Sequence, residues 1–112
     1  MKIAIPVVQE KLAMHFGHSQ SFSLIEIDEA TKAVTGSTSV IPPAHEPGVL
    51  PKWLHEKGAD VIITGGMGMR AQQFFQEYGI KVVVGAPVET PEKVAELWIK
   101  GQLVTSGNIC DH

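Results

Sequence analysis

Residues 60–84, Asp60-Val61-Ile62-Ile63-Thr64-Gly65-Gly66-Met67-Gly68-Met69-Arg70-Ala71-Gln72-Gln73-Phe74-Phe75-Gln76-Glu77-Tyr78-Gly79-Ile80-Lys81-Val82-Val83-Val84, carry the reading that decides the fold. The stretch Asp60 to Ile63 is a short apolar run with β-branched residues, the pattern of a buried strand. Met67, Ala71, Phe74, Phe75 and Tyr78 then recur at helical spacing and stop at Gly79. Lys81 to Val84 is a second short apolar run. A strand, a helix and a further strand in this order predict parallel pairing through a right-handed crossover.

The flanks extend the pattern. Upstream, Val49, Leu50, Trp53 and Leu54 mark one side of a helix that stops at Gly58. Downstream, Thr90 stands at an N-cap position with Pro91 at the first helical position. Val94, Leu97 and Trp98 form an apolar stripe there, and Gly101 is the stop. The capping box is incomplete, since Lys93 occupies the position of its Glu or Gln. The first half of the chain is β-rich. Residues 2–8 read as a buried strand and residues 21–28 as a second. Asp28 to Lys32 forms a polar turn, and residues 33–41 form an edge strand made polar by Thr35, Ser37, Thr38 and Ser39. The prediction is an α/β fold, a mixed sheet of about five strands with helices on its faces. Ligands of such sheets bind beyond the carboxyl ends of the parallel strands, so the loops at residues 15–18 and 65–68 are expected to line one crevice.

Composition narrows the function. The 112 residues suffice for one domain burying about two-thirds of its unfolded surface. A formal net charge of −3 argues against nucleic acid, which favours a basic face. No apolar run reaches the ~20 residues of a membrane span, and Pro6 interrupts the opening apolar run before a signal-peptide core forms. A single cysteine, Cys110, precludes an internal disulfide framework and fits a reducing cytoplasm. The polar segment 105–112, with no apolar anchor except Ile109, is read as a flexible tail to a domain spanning residues 1–104.

The chemistry-bearing residues gather in loops. His15-Phe16-Gly17-His18 joins two strands and places two imidazoles three residues apart. Phe16 reads as a core anchor, and the pattern is not a zinc-protease motif because no glutamate follows His15. His45 lies in the proline-bearing loop Ile41 to Gly48, whereas His55 falls inside a helix and is read as solvent-facing. The glycines Gly65, Gly66 and Gly68 open a helix where backbone N–H groups attract anions. No Gly-Lys-Ser/Thr follows them, and no acidic residue stands where a dinucleotide fold needs one. Met67 reads as core. Cys110 sits beside Asp111 and His112, but one thiol cannot hold an iron–sulfur cluster that ordinarily takes four. Any cluster must then be preformed, held partly by imidazoles and N–H groups, or shared between chains, which means loose, transferable binding. No serine has an orienting acid and base, and residues 2–8 lack the carboxylates of a two-metal nuclease.

These residues resemble the dinitrogenase iron–molybdenum cofactor biosynthesis family, also described as nitrogenase accessory factor-like, a prokaryotic group. The resemblance rests on the opening strand with Pro6, His15-Phe16-Gly17 before a strand, and His45 ahead of Gly48. It continues through Glu56-Lys57-Gly58-Ala59-Asp60-Val61-Ile62-Ile63, Gly66-Met67-Gly68 with Ala71, Gly79-Ile80-Lys81-Val82 and Lys100-Gly101-Gln102-Leu103. It implies a three-layer α/β/α domain of ribonuclease H-like topology. It also implies non-catalytic binding or carrying of an iron–sulfur or iron–molybdenum type cluster, held transiently and passed between cluster donor and acceptor proteins. The family's frequent basic residue after His-Phe-Gly is here His18. The site expected on this basis comprises His15, His18, His45 and Cys110 as metal ligands and Gly65, Gly66 and Gly68 as an anion cradle, in a monomer or weak homodimer. The alternative is a metal-free domain that senses a small anion or small molecule through the same glycine loop.

Overall fold

The computed structural model describes residues 1–43 and 48–106. Six strands and three helices follow in the order β1 (Lys2–Val8), β2 (Lys11–Leu12), β3 (Ser21–Asp28), β4 (Ala33–Val40), α1 (Val49–Glu56), β5 (Val61–Ile63), α2 (Met69–Glu77), β6 (Lys81–Val83) and α3 (Pro91–Ile99). The sheet order is β4-β3-β1-β5-β6, with β2 paired to β1. Strands β1, β5 and β6 are parallel, while β3 and β4 run antiparallel as a hairpin. The mixed α/β fold expected from the sequence is therefore present, with β2 as a sixth, two-residue strand that the sequence pattern did not reveal.

Alternation along the strands divides the core in two. Ala4, Phe22, Leu24 and Ile62 point to one side, where Leu50 and Leu54 of α1 and Phe75 of α2 cover them. Ile3, Ile5, Ile25, Ile27, Val61 and Ile63 point to the other, against Val94 and Ala95 of α3. Burial on both faces explains why β1 and β5 read as continuous apolar runs. Strand β4 is the expected edge strand, half-buried at Val34, Gly36 and Val40 and exposed elsewhere. Its register shifts opposite Glu26 and Ile27, where the Thr35 hydroxyl donates to the Glu26 carbonyl at 3.2 Å.

Local boundaries differ from the sequence reading in three places. Met67 is fully buried as expected, but it precedes α2, which begins at Met69. Thr90 occupies the N-cap of α3 with Pro91 next, yet its side chain makes no capping hydrogen bond. The edge strand ends at Val40, leaving Ile41 76% exposed. The helix stops hold: Gly58, Gly79 and Gly101 take φ of 86°, 73° and 71°, a left-handed turn that side chains disfavour.

Phe75 is fully buried and stacks edge-on with Phe16 at 5.4 Å. Phe75→Ala is expected to lower unfolding free energy by about 3–5 kcal/mol, through lost transfer energy and a residual cavity, as measured by guanidinium denaturation.

Candidate functional site

The carboxyl ends of β1, β5 and β6 lie side by side, and the loops that follow β1 and β5 are held together by main-chain hydrogen bonds. The reason is the β1–β2 hairpin. Strand β3 takes one edge of β1 along its length, and β5 takes the other edge at Ile3 and Ala4. Lys11 and Leu12 then pair with Val8 and Val7 on that second edge, beyond the end of β5. The hairpin thus folds over the carboxyl end of β5. The Gly65 N–H donates to the Ala13 carbonyl at 3.3 Å, and the Leu12 N–H donates to the Glu89 carbonyl at 2.9 Å. The loops expected to line one crevice are thus in direct contact, the Phe16 N–H also donating to the Gly66 carbonyl at 2.9 Å.

Gly65 shows why the sequence carries glycine here. A Cβ at this residue would stand 2.6 Å from the Met14 carbonyl oxygen and 2.8 Å from its Cα. Gly66 is buried too, and its carbonyl accepts the Phe16 N–H at 2.9 Å. The Gly65 carbonyl accepts the Gly85 N–H at 2.8 Å, and the Gly85 carbonyl accepts the Ser106 N–H at 2.8 Å. Thr64, which sequence reasoning passed over, is fully buried beneath this junction, with its hydroxyl near the carbonyls of Ala13 and Gly66. Of the three candidate cradle glycines, Gly68 is the exposed one. It caps the N-terminus of α2 with no atom within 4 Å of a prospective Cβ.

The histidine turn is built by division of labour. Phe16 to His18 form a single 3-10 turn, with His15 at its N-cap. Phe16 is 6% exposed and packs edge-on against Phe22 at 5.9 Å and Phe75 at 5.4 Å, while His15 is exposed. The buried ring thus fixes the backbone from which the neighbouring imidazole projects. His18 shares the turn's backbone. His45 and Cys110 lie outside the described residues. His55 is exposed on α1 and stacks on Tyr78 at 4.8 Å, in keeping with a surface role.

Beside His15 runs a groove of about 320 Å³ lined by Val8, Gln9, Leu12, Ala13, Met14 and Val88. Met14 and Val88 are 54% and 46% exposed, so its apolar wall faces solvent. Gln9 and Glu10 form the two-residue turn of the hairpin with φ of 52° and 68°. Asn-Gly or Asp-Gly ordinarily fills such a turn, and its absence kept this hairpin hidden in the sequence. The first turn of α2 carries no acidic residue, and Arg70 stands in it with its guanidinium 6.0 Å over the Phe74 ring. A cation there adds to the positive end of the helix dipole instead of cancelling it. Among the described residues, no three His, Cys, Asp or Glu side chains converge as metal ligands. No helix among them is long and apolar enough to cross a membrane.

A three-layer α/β/α domain with an exposed histidine turn and an electropositive helix start at one end of its sheet is the class that this geometry defines. Residues 1–101 match the family described as "Dinitrogenase iron-molybdenum cofactor", and the chain belongs to that family. The crystal structure of the protein PH0822 superposes with a TM-score of 0.85 at 31% identity, covering 95% of this chain and 96% of that one. The apo form of the orange protein from Desulfovibrio gigas superposes at 0.72 with 25% identity, covering 96% and 93%. An uncharacterized protein of Methanocaldococcus jannaschii, MJ0580, is 26% identical over 106 residues, 92% of this chain and 89% of that protein.

The two glycine positions predict opposite outcomes. Gly65→Ala forces the alanine methyl onto the Met14 backbone and is expected to cost about 1–3 kcal/mol or more. Gly68→Ala meets no neighbour and is expected to cost less than about 1 kcal/mol. Thermal denaturation of both variants checks the contrast.

Proposed function

We propose that this protein binds and carries an anionic iron–sulfur or iron–molybdenum type cluster, performing no catalytic step on it. The observation that carries the reading is the exposed His15, projected from a turn that the buried Phe16 pins beside the start of α2. Membership of a family described by the iron–molybdenum cofactor supports this chemical class for the cargo. Imidazole is a suitable ligand for iron, and a helix start with an added guanidinium favours negative charge.

The donor set suits a cargo held loosely. His15 offers one nitrogen from a rigid turn. His18 and His45 are the further imidazoles of the proposed site, and Cys110 is its soft thiolate. Gly68 presents the exposed backbone at the start of α2, while Gly65 and Gly66 shape the loop that puts it there. Incomplete coordination leaves positions for the ligands of a donor or acceptor protein, which transfer requires. Such exchange fits a cytoplasmic protein acting as a monomer or weak homodimer, without nucleic acid or membrane as partner.

The test is anaerobic loading of the apo protein with a preformed iron–sulfur or thiomolybdate-type cluster, followed by visible absorption and metal analysis. Stoichiometric uptake with charge-transfer bands is expected, and the double variant His15→Ala, His45→Ala should lose it. Uptake by the double variant equal to the unaltered protein would remove these histidines from the site. Binding of plain oxyanions with no uptake of any cluster would favour metal-free anion sensing. Retention is also expected to weaken as salt rises from about 0.05 M to about 0.5 M, because the Debye length shortens and attraction at the α2 start is screened.

A further inference from the structure

We propose that the pocket between the start of α3 and strands β1, β3 and β4 is a binding site for a small neutral polyhydroxyl molecule, with the size and chemistry of a monosaccharide or a cyclitol. The pocket holds about 450 Å³, within the roughly 300–1,000 Å³ usual for small-molecule sites. Its lining shares only Gln9 with that of the groove beside His15. The site is therefore separate from the proposed cargo site and does not rest on the carrier reading.

The floor of the pocket is a row of hydroxyls. Ser21 and Ser23 lie on the face of β3 that also carries Ile25 and Ile27 toward α3, and Ser39 of β4 is the register partner of Ser23. Ser23 is 9% exposed, and its hydroxyl has no hydrogen-bond partner among the described residues. No sealed side-chain oxygen among those residues lacks a partner, so the Ser23 hydroxyl must open onto the pocket. A hydroxyl withdrawn this far from the surface forgoes a hydrogen bond that a ligand can supply.

The walls are fixed and carry both donors and acceptors. Thr90 precedes α3 without a side-chain capping bond, so the first-turn N–H groups of Glu92 and Lys93 are uncapped donors at this wall. The Ser37 hydroxyl donates to the Glu92 carboxylate at 3.3 Å and ties the helix start to β4. On the other side the Gln20 side-chain carbonyl accepts the Gln9 N–H at 3.1 Å, and the Gln20 backbone N–H donates to the Val7 carbonyl at 2.8 Å. The Gln20 side-chain NH2 keeps its capacity to donate. Charge selects among ligands. Glu10 and Glu92 are exposed, and no Lys, Arg or His joins them among the described lining residues, so a phosphate or sulfate finds no counter-charge. A cation gains little from exposed carboxylates and sheds its water over a floor of neutral hydroxyls. A polyol meets every group present. Its hydroxyls donate to the carboxylates and accept from Ser23, Gln20 and the helix N–H groups, while its C–H edges rest on the buried Val7 and Pro91.

The test is a titration of the full chain, with no cluster present, by D-glucose and by myo-inositol, followed through the backbone amide signals in NMR spectra. Saturable shifts at Ser21, Ser23, Ser39 and Glu92 are expected with at least one of the two, at a dissociation constant on the order of 1 mM or below. Ser23→Ala removes the unpartnered hydroxyl and should weaken binding about fivefold, the worth of one hydrogen bond. Ser39→Ala, at an exposed residue, should weaken it in the same direction and serves if Ser23→Ala does not fold. Thr38→Ala, on the opposite face of β4, should bind as the unaltered chain does. Dispersion of the amide signals shows that each variant is folded. The absence of saturable shifts with both probes overturns the proposal. Binding that neither Ser23→Ala nor Ser39→Ala weakens also overturns it. So does tighter binding of inorganic phosphate or of putrescine at the same signals, since the pocket would then select a charged ligand.

Discussion

The close approach of the Gly65 backbone to Met14 is the constraint on which this end of the molecule depends. A strand end carries carbonyl and amide groups that lose their partners where the ladder stops, and buried groups of this kind must be paired. Here they are paired to other loops. Gly65 bonds to Ala13 and Gly85, Gly66 to Phe16, and Gly85 to Ser106, so four separate segments meet through main-chain contacts. A side chain at residue 65 would push the β1–β2 hairpin off the end of β5 and loosen the junction. The histidine turn, the α2 start and the groove beside Val88 all take their positions from it.

Rigidity below the site and openness above it arise from separate residues. Phe16, Phe22 and Phe75 meet edge to face and are shut from water, binding the turn to the sheet and to α2. Around them His15, Met14, Gly68 and Val88 are exposed to solvent. The arrangement suits the carrier role proposed above, because a cargo enclosed on all sides cannot be handed on. The electrostatics follow the same division. The chain as a whole is slightly acidic, with a net charge of −3, yet the first turn of α2 has Arg70 and no carboxylate. An anion is thereby favoured at one end of a molecule that is otherwise indifferent to it.

Much of this was legible in the residues alone. Continuous apolar runs located β1, β5 and β6, β-rich segments either side of a polar turn located β3 and β4, and period 3.6 located the three helices, because burial on both faces or on one imposes those patterns on apolar residues. Phe16 and Met67 were legible as core for a similar reason: large apolar side chains in glycine-rich loops have little else to do than anchor them. The hairpin turn at Gln9 and Glu10 was hidden, since its left-handed backbone is imposed by pairing of Val7 and Val8 with Leu12 and Lys11 rather than invited by glycine or asparagine. Met14 and Val88 carried no signal either, for an exposed apolar residue in a loop looks like any other until its neighbours across space are known.

The glycines mark the boundary most sharply. The sequence by itself determined that the backbone around residues 65–68 approaches something closely, because a run of residues without Cβ atoms serves that need. It also determined the α/β alternation and the histidine turn, which depend on local periodicity and spacing. Only the tertiary structure decided what Gly65 approaches, which is the protein's own Met14 and not a ligand, leaving Gly68 as the exposed member of the set. The physical reason is that conformational freedom is a property of one residue. The atom that comes to lie against it belongs to a segment fifty residues away and is placed there by strand pairing.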